Sequence, residues 1–389
     1  MDLRTWVNSL FVRFENYDSP GLLDLLFRQP LRIRPDSDIR RLVQEAVPPG
    51  RGNGEIWVHF ITAHAEFRLG SERKFDLLTA SLAAFTQVFQ EGVQGAWSLP
   101  IVYRFSKKLF ALLSTEKTGK GKKKEEAVIS ELQKLLGVCQ KTSEKPPDSK
   151  LMGLVCVMNL LFRLYLRINN LQLCVNLLKI INSPHSKLPA LRHFAMAQQV
   201  EFKYYEGRLS VYEQEIRKAE ECLEFSFAHS HPGSVRNKRI VLQYLIPVKV
   251  ARGKFPTRAL LEKYSQEAYL PILMAIKQGD IGAFQSELER HQDDFIRTGI
   301  YIMMESLQLQ AYRNLFKKTY QLLGQSQIPL QRFLASLQCV GVTQVDMEEL
   351  ECLLVNLIAK GWMKGYISHE HKMIVLSKKT SPFPKISEI

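Results

Sequence analysis

The sequence predicts a mainly α chain: helical hairpins along most of its length, closed by three helices and a two-stranded β-ribbon. Three observations carry this. Apolar residues recur at spacings of three and four through most of the chain. Strand-like alternation is almost absent before residue 362. Breaks rich in Gly, Pro or Lys punctuate the periodic blocks. With 389 residues, 46% hydrophobic and 24% charged, the composition is that of a globular chain with two or three packed units.

The first block, 1–150, opens with MDLRTWVNSLFVRFE, whose apolar stretch carries charge and so does not read as a secretory signal. PPGRGNG (48–54) reads as a turn-rich loop. SERKFDLLTASLAAFTQVFQ places Phe75, Leu78, Leu82, Phe85 and Phe89 on one helical face. STEKTGKGKKKEE (114–126) reads as a solvated Lys/Gly loop. KTSEKPPDSK (141–150) ends the block, because Pro146 and Pro147 cannot continue a helix. In the second block, 151–305, the apolar run LVCVMNLLF is too short, and too polar at Asn159, to span a bilayer, so no membrane insertion is expected. Helices then follow in pairs. In AMAQQVEFKYYEGRL and SVYEQEIRKAEECLEFSFAHSHP, Gly207, Ala219, Leu223 and Pro232 fall close to the small, apolar and terminating positions of a tetratricopeptide-type repeat. The match covers one convincing unit.

The third block, 306–380, changes character. LQLQAYRNLFKKTYQLL (307–323) is an amphipathic helix with Leu307, Ala311, Leu315 and Leu322 expected on its core side. IPLQRFLASLQCV (328–340) is a second helix, entered through Pro329. VDMEELECLLVNLIAKG (345–361) is a third, with Asp346 and Glu349 at its cap and third positions and Gly361 at its end. GWMKGYISHEHKMIVLSKK then forms the ribbon. Three helices and a ribbon are the winged-helix order. Residues 381–389 read as a C-terminal tail.

No catalytic or metal site is expected, and no cofactor. No G-x-G-x-x-G follows a strand, and no G-x-S-x-G occurs. GKGKKK (119–124) lacks the earlier glycine, the Ser/Thr after Lys and the preceding strand of a phosphate loop. His369, Glu370 and His371 put two histidines two apart on a turn, where a helical H-E-x-x-H zinc site needs four. The six cysteines form no C-x-x-C pair. Five of them sit in apolar helical patterns, the mark of buried free thiols in a reducing compartment.

The net charge of +14 points to a polyanionic partner. Residues 225–261 hold Arg236, Lys238, Arg239, Lys249, Arg252, Lys254 and Arg258 with no Asp or Glu between them. An ordinary surface mixes signs. The run reads either as side chains snorkelling around an apolar helix or as a docking surface for an acidic partner or nucleic acid. A second patch is the polar stripe of Arg313, Asn314, Lys317 and Lys318, expected opposite the leucines. A third is the ribbon with its tail: Lys364, Lys372, Lys378 and Lys379. The third helix carries Glu348, Glu349 and Glu351 in its first turns, which would repel phosphate, so it is not expected to read DNA bases. Contacts through the wing lysines and the stripe would be to phosphate, salt-sensitive and sequence-tolerant. Trp362 and Tyr366 are expected to pack the ribbon, with base stacking as the alternative.

Several stretches carry a family resemblance: AWSLPIVY (96–103), RNKRIVLQYLIPVKV (236–250), FIRTGIYIMME (295–305), AYRNLFKKTY (311–320), NLIAKGWMKGYISHEHKMIVLSK (356–378) and SPFPK (381–385). With them the chain resembles the PCI domain-containing protein 2 family, the Thp-type subunits of the nuclear transcription-and-export complex. The resemblance implies a right-handed superhelix of TPR-like hairpins ending in a winged helix, the helical part of the PCI domain starting near residue 200. It also implies a non-enzymatic scaffold in the nucleus, at nuclear pores, with the cytoplasm as a further location, that couples transcription to messenger RNA export. The implied partners are a Sac-type scaffold (germinal-centre-associated nuclear protein in animals), whose winged helix lies beside this one, a small acidic DSS-type subunit on the helical part, nuclear pore components, and RNA or DNA. Arg313, Lys317, Lys318, Lys364 and Lys378 are the nucleic-acid contacts it implies. Lys372 and Lys379 join them on charge alone. The alternative is a signalosome- or proteasome-lid-associated PCI subunit that makes protein contacts only.

Overall fold

The computed structural model describes residues 1–32, 38–48, 54–70, 73–91, 95–115, 122–141, 148–182 and 188–388. The expected loops at 48–54 and 141–150 fall largely outside these residues, and so does 116–121. The rest of the loop expected at 114–126 is helical instead, with 114–115 ending one helix and 122–126, including the last three lysines of GKGKKK, opening the next. The chain divides into two compact units, Met1–Phe202 and Lys203–Ile389.

The N-terminal unit opens with α1 (Leu3–Glu15), α2 (Ser19–Phe27), α3 (Ile39–Ala46) and α4 (Gly54–Arg68). Each of the first three starts on an aspartate whose carboxylate accepts a backbone N–H of the first turn: Asp2 from Thr5, Asp18 from Gly21, Asp38 from Arg41. Next come α5 (Lys74–Glu91), α6 (Leu99–Thr115), α7 (Lys122–Gln140), α8 (Leu154–Arg167) and α9 (Leu171–Asn182). The Phe75–Phe89 face of α5 is buried as its periodicity predicts. Almost every residue of α8 is buried, so the apolar run is a core helix. The amide nitrogen of its Asn159 donates to the Gln198 carbonyl at 3.0 Å. No helix among the described residues is long and apolar enough to cross a membrane.

His64 sits at the centre of this unit, fully buried among Trp6, Phe27, Phe60 and Phe105. Its Nε2 donates to the Leu26 carbonyl at 2.8 Å, and Ser81 Oγ lies 3.4 Å from Nδ1. Burial disfavours the imidazolium and pulls its pKa down to about 4. The unfolded chain then binds a proton that the native state does not between pH 6.5 and about 4. Stability contributed by this unit should therefore be lost as pH falls from 6.5 to about 4, by about 1.4 kcal/mol per pH unit at most. Acid titration followed by Trp6, Trp57 and Trp97 fluorescence measures it, and His64→Gln should flatten the slope.

The helix α10 (Met196–Tyr212), which carries the boundary at Phe202, and α11 (Ile216–His229) form the hairpin expected from the repeat-like pattern. A Cβ on Gly207 would meet Leu223 Cγ at 2.7 Å and Cys222 Cβ at 3.1 Å, so the small residue is what lets α11 approach. Gly207→Ala should cost roughly 2 kcal/mol by overpacking, read from urea denaturation. Then follow α12 (Val235–Ala251), α13 (Arg258–Lys263), α14 (Tyr269–Gln278), α15 (Ile281–Arg290), α16 (Gln292–Thr298) and α17 (Tyr301–Ser306). They pack around Tyr244, Leu245, Ile272, Ile276, Phe284 and Met304.

The closing module is α18 (Gln308–Leu323), β1 (Gln327–Pro329), α19 (Leu330–Cys339), α20 (Met347–Ala359), β2 (Gly365–Ser368) and β3 (Met373–Leu376). Asp346 caps α20 by accepting from Glu349 N at 2.8 Å, and Gly361 terminates it at φ +71°. The ribbon gains a strand that the sequence did not announce. The sheet order is β1-β3-β2, antiparallel throughout, with Ile328 opposite Ile374 and Ile374 opposite Ile367. Phe316, Phe333, Leu337, Leu350, Leu354, Leu357, Ile374 and Leu376 fill the core. Of the segment 381–389, expected as a tail, the described part is built into this core through Phe383.

Candidate interaction surface of the winged helix

The helix α18 does not carry the expected polar stripe. Arg313 is only 5% exposed. Its Nε donates to the Trp362 carbonyl at 3.2 Å, one terminal nitrogen to the Pro384 carbonyl at 2.6 Å and the other to Asn314 Oδ1 at 3.1 Å. The guanidinium also lies 5.9 Å from the centre of the Phe383 ring. Burial pulls its pKa below the usual arginine value, and the carbonyls replace the lost water. Arg313 therefore fastens the C-terminal segment to α18. Asn314 and Lys318 serve a second seam. Asn314 Nδ2 donates to the Ile276 carbonyl and Lys318 Nζ to that of Gln278, each at 2.8 Å, so both bind carbonyls at the C-terminus of α14. Lys317 is half-buried. Leu322, expected on the core side, is instead 88% exposed, because α18 runs one turn past the core.

The ribbon sorts its lysines by position. At the turn, Lys372 Nζ lies 3.0 Å from Glu351 Oε1 and His369 Nδ1 2.6 Å from Glu351 Oε2. The two hydrogen bonds hold the Glu351 carboxyl below the usual glutamate range. Glu351 is thus not a bare charge facing outward, as the sequence implied; it ties the wing to α20 and occupies Lys372. Glu348 and Glu349 are exposed. Lys364, Lys378 and Lys379 sit at the opposite end of the ribbon, where Ser377 N donates to the Lys364 carbonyl at 2.9 Å. All three are exposed and have no ion pair among the described residues. Beside them opens a groove of about 830 Å³ walled by Gln325, Ser326, Gln327, Ser377, Lys378 and Thr380. Trp362 packs half-buried against the core, as expected. Tyr366 does not: it is 63% exposed.

The acid-free run at 225–261 is neutralised from another helix. Glu224 of α11 takes Lys249 at 2.5 Å. Glu220, also on α11 and almost fully buried, takes Arg252 at 3.2 Å and Lys254 at 2.7 Å. Arg258 pairs with Glu262. Lys238 lies 5.2 Å over the Phe227 ring. Only Arg236 and Arg239 stay exposed with no ion pair among the described residues. The free basic surface expected here is therefore reduced to the N-terminal turns of α12.

Four cysteines are buried; Cys339 and Cys352 are exposed, which corrects the expectation of five buried thiols. Burial pushes the thiols of Cys139, Cys156 and Cys222 up to about 12, so they are inert. No cluster of three or more His, Cys, Asp or Glu side chains suited to a metal occurs among the described residues.

Residues 288–378 match the PCI domain family. The match begins in α15, before the three winged-helix helices, and ends on the ribbon lysines. The chain is similar to PCI domain-containing protein 2 of Danio rerio, 39% identical over 80% of this chain and 79% of the relative. It is similar to the protein of the same name in Xenopus laevis, 38% identical over 80% and 79%. It is also similar to the Protein CSN12 homolog of Neurospora crassa, 30% identical over 74% and 72%. Helical hairpins, a closing winged helix and this depth of identity over four fifths of the sequence give one conclusion: the chain belongs to the PCI domain-containing protein 2 family.

Proposed function

We propose that this PCI scaffold subunit works, without catalysis, in a nuclear transcription-coupled messenger RNA export complex at nuclear pores, and that the base of its ribbon contacts RNA or DNA phosphates. Its winged helix would lie beside that of a Sac-type scaffold, and its helical part would take a small acidic DSS-type subunit. One observation supports the nucleic-acid reading above the others. Lys364, Lys378 and Lys379 gather unpaired at one end of the ribbon, beside a groove of hydrogen-bonding side chains. Such a surface suits phosphate, because lysine acts as a point charge and amides and hydroxyls donate to the remaining oxygens.

The test is anisotropy of a labelled single-stranded RNA titrated with the chain, alone and with its winged-helix partner, across a salt series. Lys364→Glu, Lys378→Glu and Lys379→Glu together should weaken binding by at least about tenfold and flatten the salt slope. Lys372→Met should change affinity by less than about twofold, since its charge is already engaged by Glu351. Binding indifferent to the triple reversal sinks the reading.

One observation favours a second reading, a PCI subunit of the signalosome or lid type that makes protein contacts only. The outer face of α20 exposes Val355, at 54%, and Cys352, while the wing exposes Tyr366. Loss of partner assembly, with RNA binding unaltered, in Val355→Asp would favour it.

A further inference from the structure

The N-terminal unit contains a cavity of about 320 Å³ between α2, α4, α5 and α6. Its walls hold Arg68, Lys74, Arg104 and Lys108, and among the described residues no carboxylate lines it. The same walls present Phe27, Phe67 and Leu112. Four cations and two aromatic rings around one concavity are unlike an ordinary surface, which disperses and pairs its charges.

Each cation has a distinct state. Arg68 is the partly buried one. Its guanidinium donates to the carbonyls of Leu26 and Gln29, closing the C-terminal end of α2, and burial lowers its pKa without removing its charge. Arg104 is exposed, with its guanidinium 5.8 Å from the centre of the Phe27 ring. Lys74 and Lys108 are exposed and form no ion pair among the described residues. Lys74, Arg104 and Lys108 thus bring exposed charge to the cavity, while Phe27, Phe67 and Leu112 give it apolar lining.

We propose that this cavity binds a nucleotide, the phosphate on Lys74, Arg104 and Lys108 and the base against Phe27 and Phe67. The volume lies at the lower end of the roughly 300–1,000 Å³ of small-ligand sites. A bare inorganic anion would leave the aromatic wall unused. A purely apolar ligand would strand the cations. A nucleotide uses both, since bases stack on rings and guanidinium planes while the phosphate oxygens take the ammonium donors. The site is separate from the ribbon lysines and does not depend on them.

The probe is a fluorescent N-methylanthraniloyl adenosine nucleotide titrated into the full chain. Saturable binding is expected, weakened at least about tenfold by Lys74→Glu with Lys108→Glu, and unaltered by the triple ribbon reversal. Lys108→Met with Arg104→Gln is the milder pair, with unchanged Trp6 and Trp57 fluorescence as the check on folding. Stronger competition by a single-stranded RNA than by unlabelled mononucleotide would assign the site to a strand, and the reverse to a free nucleotide; both sustain it. Absence of saturable binding, or competition by pyrophosphate or polyglutamate equal to that by nucleotide, overturns the proposal.

Discussion

Arg313→Ala should lower the stability of the C-terminal unit by roughly 3 kcal/mol and release the segment after residue 380. The argument is one of unmade hydrogen bonds. Arg313 is buried and supplies the donors for the Trp362 and Pro384 carbonyls. Alanine leaves both acceptors without a donor and opens a void the size of the side chain. It also frees Phe383, which is 5% exposed beneath the guanidinium. Trp362 is the one tryptophan of this unit, so its fluorescence reports the loss directly in a urea titration. Limited proteolysis should cut near Pro382 in the variant and not in the parent. Arg313→Lys should recover a minor part, because one ammonium cannot span two carbonyls as the guanidinium fork does. An unchanged urea midpoint would return Arg313 to the surface.

Gly279→Ala should be of similar size, roughly 3 kcal/mol. Gly279 ends α14 at φ +69°, in the left-handed region that an L side chain resists. A Cβ there would lie 2.5 Å from Leu315 N and 2.7 Å from Leu315 Cα. These are backbone atoms of a helix and cannot swing aside, so α18 would have to lift off the end of α14. The bonds from Asn314 to Ile276 and from Lys318 to Gln278 would break with it. Gly324→Ala is the control. It shares the positive φ, but nothing lies within 4 Å of its Cβ, so it should cost only the backbone strain, about 1 kcal/mol. Equal effects at the two glycines would remove the steric part of the argument.

Helix identity was legible wherever apolar spacing and caps agreed, as in α5 and in α20 with its Asp346 cap. What failed to show did so for physical reasons. Residues Gln327–Pro329 are too short for alternation to appear, yet they pair with β3. Arg313 lies three residues from Phe316 and reads as an outward charge, because hydropathy cannot see a carbonyl 71 residues away in the sequence. The acid-free run looked unpaired because its carboxylates lie just upstream, on α11, and meet it only when the hairpin closes. Glu351 was counted with Glu348 and Glu349 by proximity in sequence; the turn that folds back onto it is 18 residues away. The cavity at Lys74 and Lys108 had no linear signature, since its walls come from four helices.

The Arg313 clasp sets a constraint on synthesis. A ribosome that has reached residue 380 has already made α18, α19, α20 and the whole sheet, but neither Phe383 nor the Pro384 carbonyl has been added. Until both emerge, α18 exposes a charged side chain designed for burial, and the module has an open flank. The winged helix must therefore mature late, after the hairpins before it have had time to fold on the nascent chain. A stop codon at 381 would spare everything from α18 to β3 and still remove the Phe383 ring and the Pro384 carbonyl that Arg313 meets.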